Sequence, residues 1–515
     1  MSEESLREII NGAPEFRPAP ADGDGQTGPR RRATKPQRDV LVDLVEDNAL
    51  WRDQDGQAYV TVPINGHYEN CLVRSARFRT IIAGGYYRLH GGAPGGQAME
   101  DALRVLEARA INDGPTCRPF RRVGELDGHH YLDLGDDDWR AVEIAPDGWR
   151  IVERPPVKFV RSKGMRPLPE PERGGRIEDL QQFINIDGEA DFRLVVGWLV
   201  GALRATGPYP ILLLAGEQGS AKSTSSRICR ALIDPNTATS RAAPRDERDL
   251  VAAASNSWIL SFDNLSGLPV WLADAICRLS TGGGYSARQL HTDMDEALFE
   301  GQRPILLNAI PDLGGRADVG DRALSVTLPP IPDSRRRPER TFWADFEEQR
   351  PFLLGALLDA VAAALRHLPD VRLERLPRMA DFAEWVTAAE PGLGWEPGSF
   401  LEAYERNREG IVELAVEASP VAQAVCAFAA KPDPTIEPVQ PPDLWRGSSS
   451  DLLPLLSGRV SEAVRNSREW PKNASGLGAA LRRAAPVLRK RGIELLNSKG
   501  GKDSRRSITI RRAMP

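Results

Sequence analysis

The stretch YPILLLAGEQGSAKST, residues 209–224, decides the fold of the middle of this 515-residue chain. Its first seven residues are almost all apolar, which is typical of a strand buried on both faces of a parallel sheet. Glycines follow at positions 216 and 219, and a helix is expected from Lys222 to about Leu232. The order of buried strand, glycine-bearing loop and helix predicts an α/β domain around a parallel sheet.

The loop between that strand and helix has the residue types that hold a nucleoside triphosphate. Its backbone N–H groups and the N-terminus of the helix are expected to point at the phosphates. Lys222 is expected to neutralise the β and γ phosphates, and the Ser223 hydroxyl to bind Mg²⁺. Ala221 stands where the pattern G-x-x-x-x-G-K-[ST] has its second glycine. The predicted nucleotide-binding set is Gly216, Glu217, Gln218, Gly219, Ser220, Ala221, Lys222, Ser223 and Thr224.

A second apolar strand, residues 258–263, ends in a carboxylate. Asp263 is therefore predicted to hold Mg²⁺ with Ser223, usually through water. Many such ATPases carry a second acid at the next position, but this chain has Asn264, whose amide cannot act as a base. Either hydrolysis is slow, or positioning suffices, or another carboxylate such as Glu217 substitutes.

A third apolar strand, residues 303–307, ends at Asn308. A polar side chain at this strand end can contact the γ-phosphate or orient water, the role called sensor 1. Arg316 and Arg322 follow, and an Arg in this region can reach the nucleotide of a neighbouring subunit. Each of the two could equally form a surface ion pair.

Together these motifs resemble superfamily 3 helicases, especially the poxvirus-type primase-helicase group of phages and integrated elements. The order is phosphate loop, Asp-terminated strand, a Leu-Ser/Thr-Gly-Gly motif and an Asn-terminated strand. The third motif, LSTGG at residues 279–283, looks like the B′ motif, which in that family builds a hairpin facing the DNA channel. Residues 324–329 resemble the strand that follows, so the resemblance covers roughly residues 177–332.

The resemblance implies an AAA+ type P-loop ATPase core that works as a ring, typically a hexamer, and moves on DNA using ATP and Mg²⁺. The hairpin tip, residues 291–296, is acidic, whereas family members present a Lys or an aromatic residue, and an acidic tip repels phosphates. Arg288 and His291 on the hairpin arms are the candidate DNA contacts instead. The implied catalytic set is Lys222, Asp263, Asn264, Asn308, Arg316 and Arg322.

The C-terminal end of the chain is strongly basic. Residues 465–515 hold 14 Lys and Arg against three Asp and Glu, although the whole chain has a net charge of −5. A helix, a second helix segment broken at Pro486, and a β-hairpin predict a winged-helix-like domain. It could bind single-stranded or duplex DNA, mainly through phosphates, or contact proteins instead. The candidate DNA-binding residues are Arg482, Arg483, Lys490, Lys499, Lys502, Arg505 and Arg506.

Composition shifts divide the chain into seven segments. No zinc-binding Cys cluster accompanies the second segment, so primase activity is not predicted. The segments are a disordered tail (1–38), a mixed α+β N-terminal domain (39–152), a Pro-rich linker (153–176), the ATPase (177–370), a helical extension (371–430), a second linker (431–450) and the basic C-terminal domain (451–515).

Apolar runs such as residues 211–215 and 424–430 are far too short to cross a bilayer. The acidic start of the chain is unlike a secretory signal, and the five scattered cysteines fit a reducing compartment. These features predict a cytoplasmic protein that does not use a membrane.

Three functions fit these patterns. The first is an ATP-driven DNA helicase or replication motor of a phage, plasmid or integrated element. The second is a DNA-bound ATP switch that loads or recruits replication partners without processive unwinding, which Asn264 and the acidic hairpin tip favour. The third is a small-molecule P-loop kinase, in which the basic C-terminus has no place.

Overall fold

The computed structural model describes residues 35–265, 267–282, 285–288, 296–299, 301–309, 317–430, 443–499 and 506–512. Most of the predicted disordered tail lies outside these ranges. So do four candidate site residues, His291, Arg316, Lys502 and Arg505.

A small N-terminal module has its own hydrophobic core. It contains α1 (Gln37–Asp43), β1 (Leu50–Arg52), β2 (Ala58–Ile64), β3 (His67–Leu72), α2 (Ala76–His90) and α3 (Gly96–Asn112). The three strands form an antiparallel sheet, and Leu41, Val60, Phe78 and Leu106 are among the buried residues beneath it. The buried apolar residues of β2 and the apolar stripe of α3 produce this core.

A second sheet lies between this module and the centre of the chain. Its strands are β5 (Val123–Leu126), β6 (His129–Asp133), β7 (Ala141–Ala145) and β8 (Gly148–Val152), and the short β4 (Pro119–Phe120) and β9 (Lys158–Phe159) pair beside it. Burial lowers the pKa of His130 on β6 to about 4, so its ring is neutral at pH 7 and stacks on Trp385.

This second sheet shares one hydrophobic core with the segment predicted as the ATPase, and this core includes residues from Phe120 to Tyr404. The predicted boundary at residue 152 is therefore not a boundary between cores. The segment predicted as a Pro-rich linker is also packed, since the Leu168 amide donates to Leu134 O (2.7 Å) and the Glu172 amide to Pro351 O (3.0 Å). Proline sets an extended backbone here, but the apolar side chains between the prolines bury and fix the segment.

The central domain is built around a parallel sheet. Its elements are α4 (Glu189–Ala202), β10 (Ile211–Ala215), α5 (Lys222–Ile233), α6 (Glu247–Asn256), β11 (Leu260–Leu265), α7 (Val270–Thr281), β12 (Tyr285–Arg288), β13 (Glu296–Phe299), β14 (Ile305–Ala309), α8 (Ala317–Gly320) and β15 (Ala323–Thr327). The sheet order is β11-β14-β10-β15, all parallel, and β12 pairs with β13 as an antiparallel hairpin.

Both faces of this sheet are covered by apolar side chains. Along β10, Leu212 and Leu214 join the large core shared with the second sheet, whereas Ile211 and Leu213 join a separate core with α6 and α7. Successive side chains of a strand point to opposite faces, so a continuous apolar run is what this two-sided burial requires.

The segment predicted as a helical extension belongs mostly to the central domain. Within residues 371–430, α10 (Ala380–Leu393) and the first part of α11 (Ser399–Glu417) lie in the shared core, together with the preceding helix α9 (Glu339–His367). The stretch Glu339–Asp370 is long and apolar enough to span a membrane by length and composition. It packs against α10, β7 and β8, and most of its apolar part is buried inside the protein.

The C-terminal domain begins earlier than predicted. Its core includes α12 (Pro420–Ala430), β16 (Asp443–Gly447), α13 (Ser449–Ser457), α15 (Ala474–Lys490), β17 (Ile493–Lys499) and β18 (Arg506–Arg512), with the short α14 (Glu462–Asn466) packed beside it. The strands form an antiparallel sheet in the order β16-β18-β17. The predicted break at Pro486 does not occur: α15 continues through it. Proline has no N–H, so the carbonyl four residues earlier in the helix lacks its usual donor. Because Pro486 is exposed, water can bond to that carbonyl instead.

Candidate nucleotide site and nucleic-acid face

The loop between β10 and α5 has a backbone that suits few residues. A Cβ atom on Gly216 would lie 2.6 Å from Leu328 O, so only glycine fits. Gly219 has φ +83° and Ala221 has φ +65°, both in the left-handed region. Ala221, at the position where the pattern has glycine, therefore carries a strain of about 1–2 kcal/mol.

Lys222 extends back over this loop. Its Nζ donates to Gly216 O (2.7 Å) and Glu217 O (2.8 Å), and the Ser220 hydroxyl donates to Glu217 O (2.9 Å). The positive charge is thus held at the N-terminus of α5, where the helix dipole also favours an anion. Ser223, in the first turn of α5, is exposed.

A chain of hydrogen bonds joins the Asp strand to the loop helix. Asn308, at the end of β14, donates through Nδ2 to Asp263 Oδ1 (2.9 Å), and its Oδ1 accepts from the Ser226 hydroxyl on α5. Ser226 Oγ also bonds Lys222 O (3.0 Å). Asn308 and Ser226 are almost fully buried, so Asp263 is held in a fixed orientation toward the helix that carries Ser223.

The backbone of Asn264 continues β11 directly after Asp263. Glu217, the other carboxylate considered from the sequence, is exposed in the loop. Within the described residues no group of three or more His, Cys, Asp and Glu side chains could hold a metal. A metal at this site would depend instead on Ser223, Asp263 and ligand oxygens, which are the hard donors that Mg²⁺ prefers.

A cavity of about 420 Å³ opens beside the loop, next to Ala221 and Thr224. Aromatic side chains and arginines line its wall, namely Phe183, Phe342, Trp343, Arg335, Arg336 and Arg337. Asn185 fixes this side of the loop, since its Nδ2 donates to Pro329 O (2.6 Å) and Ser220 O (3.2 Å). Sequence reasoning missed this cavity, although three consecutive arginines followed by Phe-Trp were a signal of it.

Arg322 lies beside the amino-terminal ends of the parallel strands, whereas the loop lies at their carboxyl-terminal ends. Its carbonyl accepts from the Ile211 amide at the start of β10 (2.8 Å), whereas the loop follows the end of β10. At about 3.3 Å per strand residue, the two backbone positions are about 16 Å apart. Its neighbour Asp321 forms ion pairs with Arg378 (3.4 Å) and with Lys490 of the C-terminal domain.

The basic candidates of the C-terminal domain differ in their contacts within the protein. Arg482 and Arg483 on α15 are exposed, but Lys490 at the end of the same helix is paired with Asp321. Lys499 and Arg506 are register partners at the last pair of the β17–β18 ladder. In the central domain, Arg288 and Glu296 are likewise backbone register partners, at the last pair of the β12–β13 hairpin.

Comparison with known families matches two adjoining parts of the chain. Residues 177–404 match a family model described as the actinomycete integrative conjugative element replication protein. Residues 421–515 match a second model, described as the AICE RepA C-terminal domain. Together the two matches cover more than half of the chain. Two adjoining parts of the chain are thus similar to the two domains of this replication-protein family. The end of the first match and the start of the second agree with the hydrophobic cores, which divide between residues 404 and 421, whereas the first core already begins at Phe120.

Solved structures give only distant likenesses. One, described as "SCCmec type IV Cch - active helicase", is 11% identical with a TM-score of 0.48 and covers 90% of this chain and 92% of that chain. Another, the apo NrS-1 C-terminal region, is 10% identical with a TM-score of 0.39 and covers 93% and 99%. Scores this low say nothing further about this chain. No curated protein sequence matches it.

Proposed function

We propose that this replication protein is a Mg²⁺-dependent ATPase that couples ATP hydrolysis in a homo-oligomeric ring, of hexamer type, to movement on the DNA of an integrated element. The observation that carries the proposal is that Lys222, bent back over the phosphate loop, begins the same helix that holds Ser226, the end of the Asp263–Asn308–Ser226 chain of hydrogen bonds. These groups converge from β10, α5, β11 and β14 on one sheet edge, as nucleotide hydrolysis requires.

Each residue has a separate task in this proposal. Lys222 and the loop amides bind the β and γ phosphates, and Ser223 and Asp263 hold Mg²⁺, which supplies charge neutralisation when bound. Asn308 orients Asp263 and lies within reach of the water that attacks. The cavity lined by Phe183, Phe342 and Trp343 takes the base, because aromatic walls favour a flat ring.

The position of Arg322 supports action between subunits. Its backbone lies about 16 Å from the loop of its own chain, measured along the strand, which is beyond the reach of its side chain. An arginine at this edge can instead reach a nucleotide bound to the next copy in a ring.

The central and C-terminal folds support an AAA+ type core and a winged helix. In the central sheet, β14 lies between β10 and β11, so Asn308 stands between the loop strand and the Asp strand. In the C-terminal domain, helix α12, strand β16, helices α13 and α15, and the β17–β18 hairpin follow in the order of a winged helix. DNA is the proposed partner, and action in the cytoplasm follows from it.

A second function, a DNA-bound ATP switch without processive unwinding, is favoured by one observation. Asn264 occupies the position after Asp263, and its amide cannot remove a proton from water. A motor needs fast turnover, whereas a switch needs only slow hydrolysis.

The test measures ATP turnover by the purified chain with and without single-stranded DNA, together with oligomer mass and strand displacement. DNA-stimulated turnover by a ring that displaces a strand supports the motor. DNA-stimulated turnover without displacement supports the switch. Absence of ATP turnover under all conditions would overturn both.

A further inference from the structure

Two ion pairs join the end of α15 to the central domain. Lys490 pairs with Asp321, the residue before Arg322, and Arg491 pairs with Glu413 on α11 (3.1 Å). Asp321 is also paired with Arg378 (3.4 Å), so its carboxylate lies between two cations from different domains. Only 21% of the Asp321 side chain is exposed.

Asp321 and Arg378 line a large cleft between the two domains, and Lys490 contacts Asp321 from a neighbouring groove, which Arg491 and Glu413 also line. The cleft has a volume of about 830 Å³, and Arg322, Arg378 and Arg483 from three separate segments line it. Its α15 wall includes the small side chains of Ala480 and Ala484, which leave room for a ligand close to that part of the helix. Glu469 and Asp321 are the acidic residues of the lining.

We propose that this cleft is a nucleic-acid site in which the Asp321 carboxylate occupies the place of a backbone phosphate until a strand enters. The inference rests on the proposed DNA-binding function of the C-terminal domain and names one site within it. Carboxylate and phosphate oxygens accept the same hydrogen bonds from guanidinium and ammonium groups. A strand brings several phosphates and gains from counterion release, so it can displace a single carboxylate from Lys490.

This exchange has a consequence for the ATPase. Asp321 and Arg322 are adjacent, and the Arg322 carbonyl is bonded to the Ile211 amide at the start of β10. While Lys490 holds Asp321, the C-terminal domain is attached to the segment that carries Arg322. A strand that takes Lys490 releases this segment, so DNA binding and ATP turnover are coupled through one ion pair.

The ion pair of Lys490 with Asp321 and the contact of Lys490 with DNA therefore compete. Linkage requires this competition to be reciprocal. Removing the Asp321 charge should therefore tighten DNA binding. The test is the affinity of the full chain for a fluorescent single-stranded oligonucleotide and for its duplex at fixed salt. For Asp321→Asn we expect an affinity about threefold to fivefold higher, the effect of losing one partly exposed ion pair. The form of DNA, single-stranded or duplex, for which the affinity rises is the ligand of the cleft.

Glu413→Gln is the matched control, because it breaks the other ion pair between the same domains without touching the Arg322 segment. Glu413→Gln should leave the affinity for DNA within twofold of the wild type. Asp321→Glu keeps the carboxylate and should therefore bind DNA with wild-type affinity. Arg483→Gln should weaken binding and remove most of the gain from Asp321→Asn. The ratio of ATP turnover with and without DNA should fall for Asp321→Asn alone, because its segment is released beforehand.

An Asp321→Asn protein that binds DNA no more tightly than the wild type would overturn the exchange. Equal gains from Asp321→Asn and Glu413→Gln would also overturn it, because a loosened domain contact would then explain both. A wild-type chain that binds no DNA at low salt would overturn the proposed function itself. Asp321→Ala provides a second variant in case the amide of Asn alters folding.

Discussion

The phosphate loop and the basic C-terminal domain were both predicted from short patterns, yet the two patterns differ in what they determine. In the loop, the residues that act together are contiguous, so the strand before and the helix after them set their geometry. In the C-terminal domain the helices and the hairpin predict a fold, but the DNA contacts themselves were selected by charge. Lys490 pairs with Asp321 of the central domain, while Arg482 on the same helix is exposed. A motif whose residues also determine the local backbone predicts the geometry of a site. An excess of charge predicts only that a region is electropositive, not which of its side chains bind a ligand.

The first prediction concerns the loop and has the largest expected effect. Lys222→Ala should abolish ATP turnover without unfolding the protein, because no other side chain in the loop brings a positive charge to the phosphates. Steady-state ATP hydrolysis and circular dichroism check it. Lys163→Ala, which removes an exposed lysine outside the loop, is the matched control. A folded Lys222→Ala protein with wild-type turnover would remove the phosphate-loop assignment.

The second prediction tests whether the loop needs a partner from the next subunit. Arg322→Ala should lower turnover on the order of 10³-fold or more. Mixing Arg322→Ala with Lys222→Ala subunits should restore part of the activity, since each supplies what the other lacks. Arg245→Ala removes an exposed arginine that forms an ion pair with Asp249 and should have no effect. A lack of complementation, or an active monomer, would contradict the ring.

Much of the central domain could be predicted from the sequence. The strands β10, β11 and β14 were expected because continuous apolar runs identify doubly buried strands, whereas β15 was expected from the resemblance of residues 324–329 to the family's next strand. The candidate site residues Asp263 and Asn308 were placed by the ends of these strands, and Lys222 by the loop that follows β10. The bond of Asn308 to both Asp263 and Ser226 was not predictable, since it depends on the strand order.

The domain limits were harder to predict, because composition does not show which apolar residues share a core. Residues 119–176 contain turns and prolines, yet they bury Phe120, Trp149 and Leu168 against the helices of the central domain. Helix α12 was grouped with the preceding helices, but Val425 and Phe428 belong to the C-terminal core. Such assignments depend on contacts between distant parts of the chain.

The third prediction tests the charge pattern of the C-terminal domain. Replacing Lys499, Lys502, Arg505 and Arg506 with Ala should weaken binding to all DNA sequences alike, because phosphates carry no sequence information. If about four phosphates are contacted, the slope of log affinity against log salt should be near −3.6 in the wild type and flatter in the variant. Binding isotherms at several salt concentrations measure both quantities.

The control for that experiment removes four cations from other parts of the chain, namely Arg104, Lys163, Arg245 and Arg406. It changes net charge equally, so a similar loss of affinity would show that the overall charge matters and not the hairpin. Binding that does not depend on salt would make the domain a protein-contact module.

The last and smallest effect returns to the loop, where Ala221 has φ +65°. Ala221→Gly should relieve about 1–2 kcal/mol of backbone strain. The added flexibility of glycine in the unfolded chain offsets about 0.5–1 kcal/mol of this, so the variant should be stabilised by roughly 1 kcal/mol or less. Thermal unfolding monitored with and without ATP measures the change, and ATP turnover should stay within twofold of the wild type. Ala252→Gly, at an exposed position of α6 with ordinary helical geometry, should instead destabilise the protein by about 1 kcal/mol. If both substitutions destabilise equally, Ala221 is not in the left-handed region, and the loop does not have the backbone that a phosphate requires.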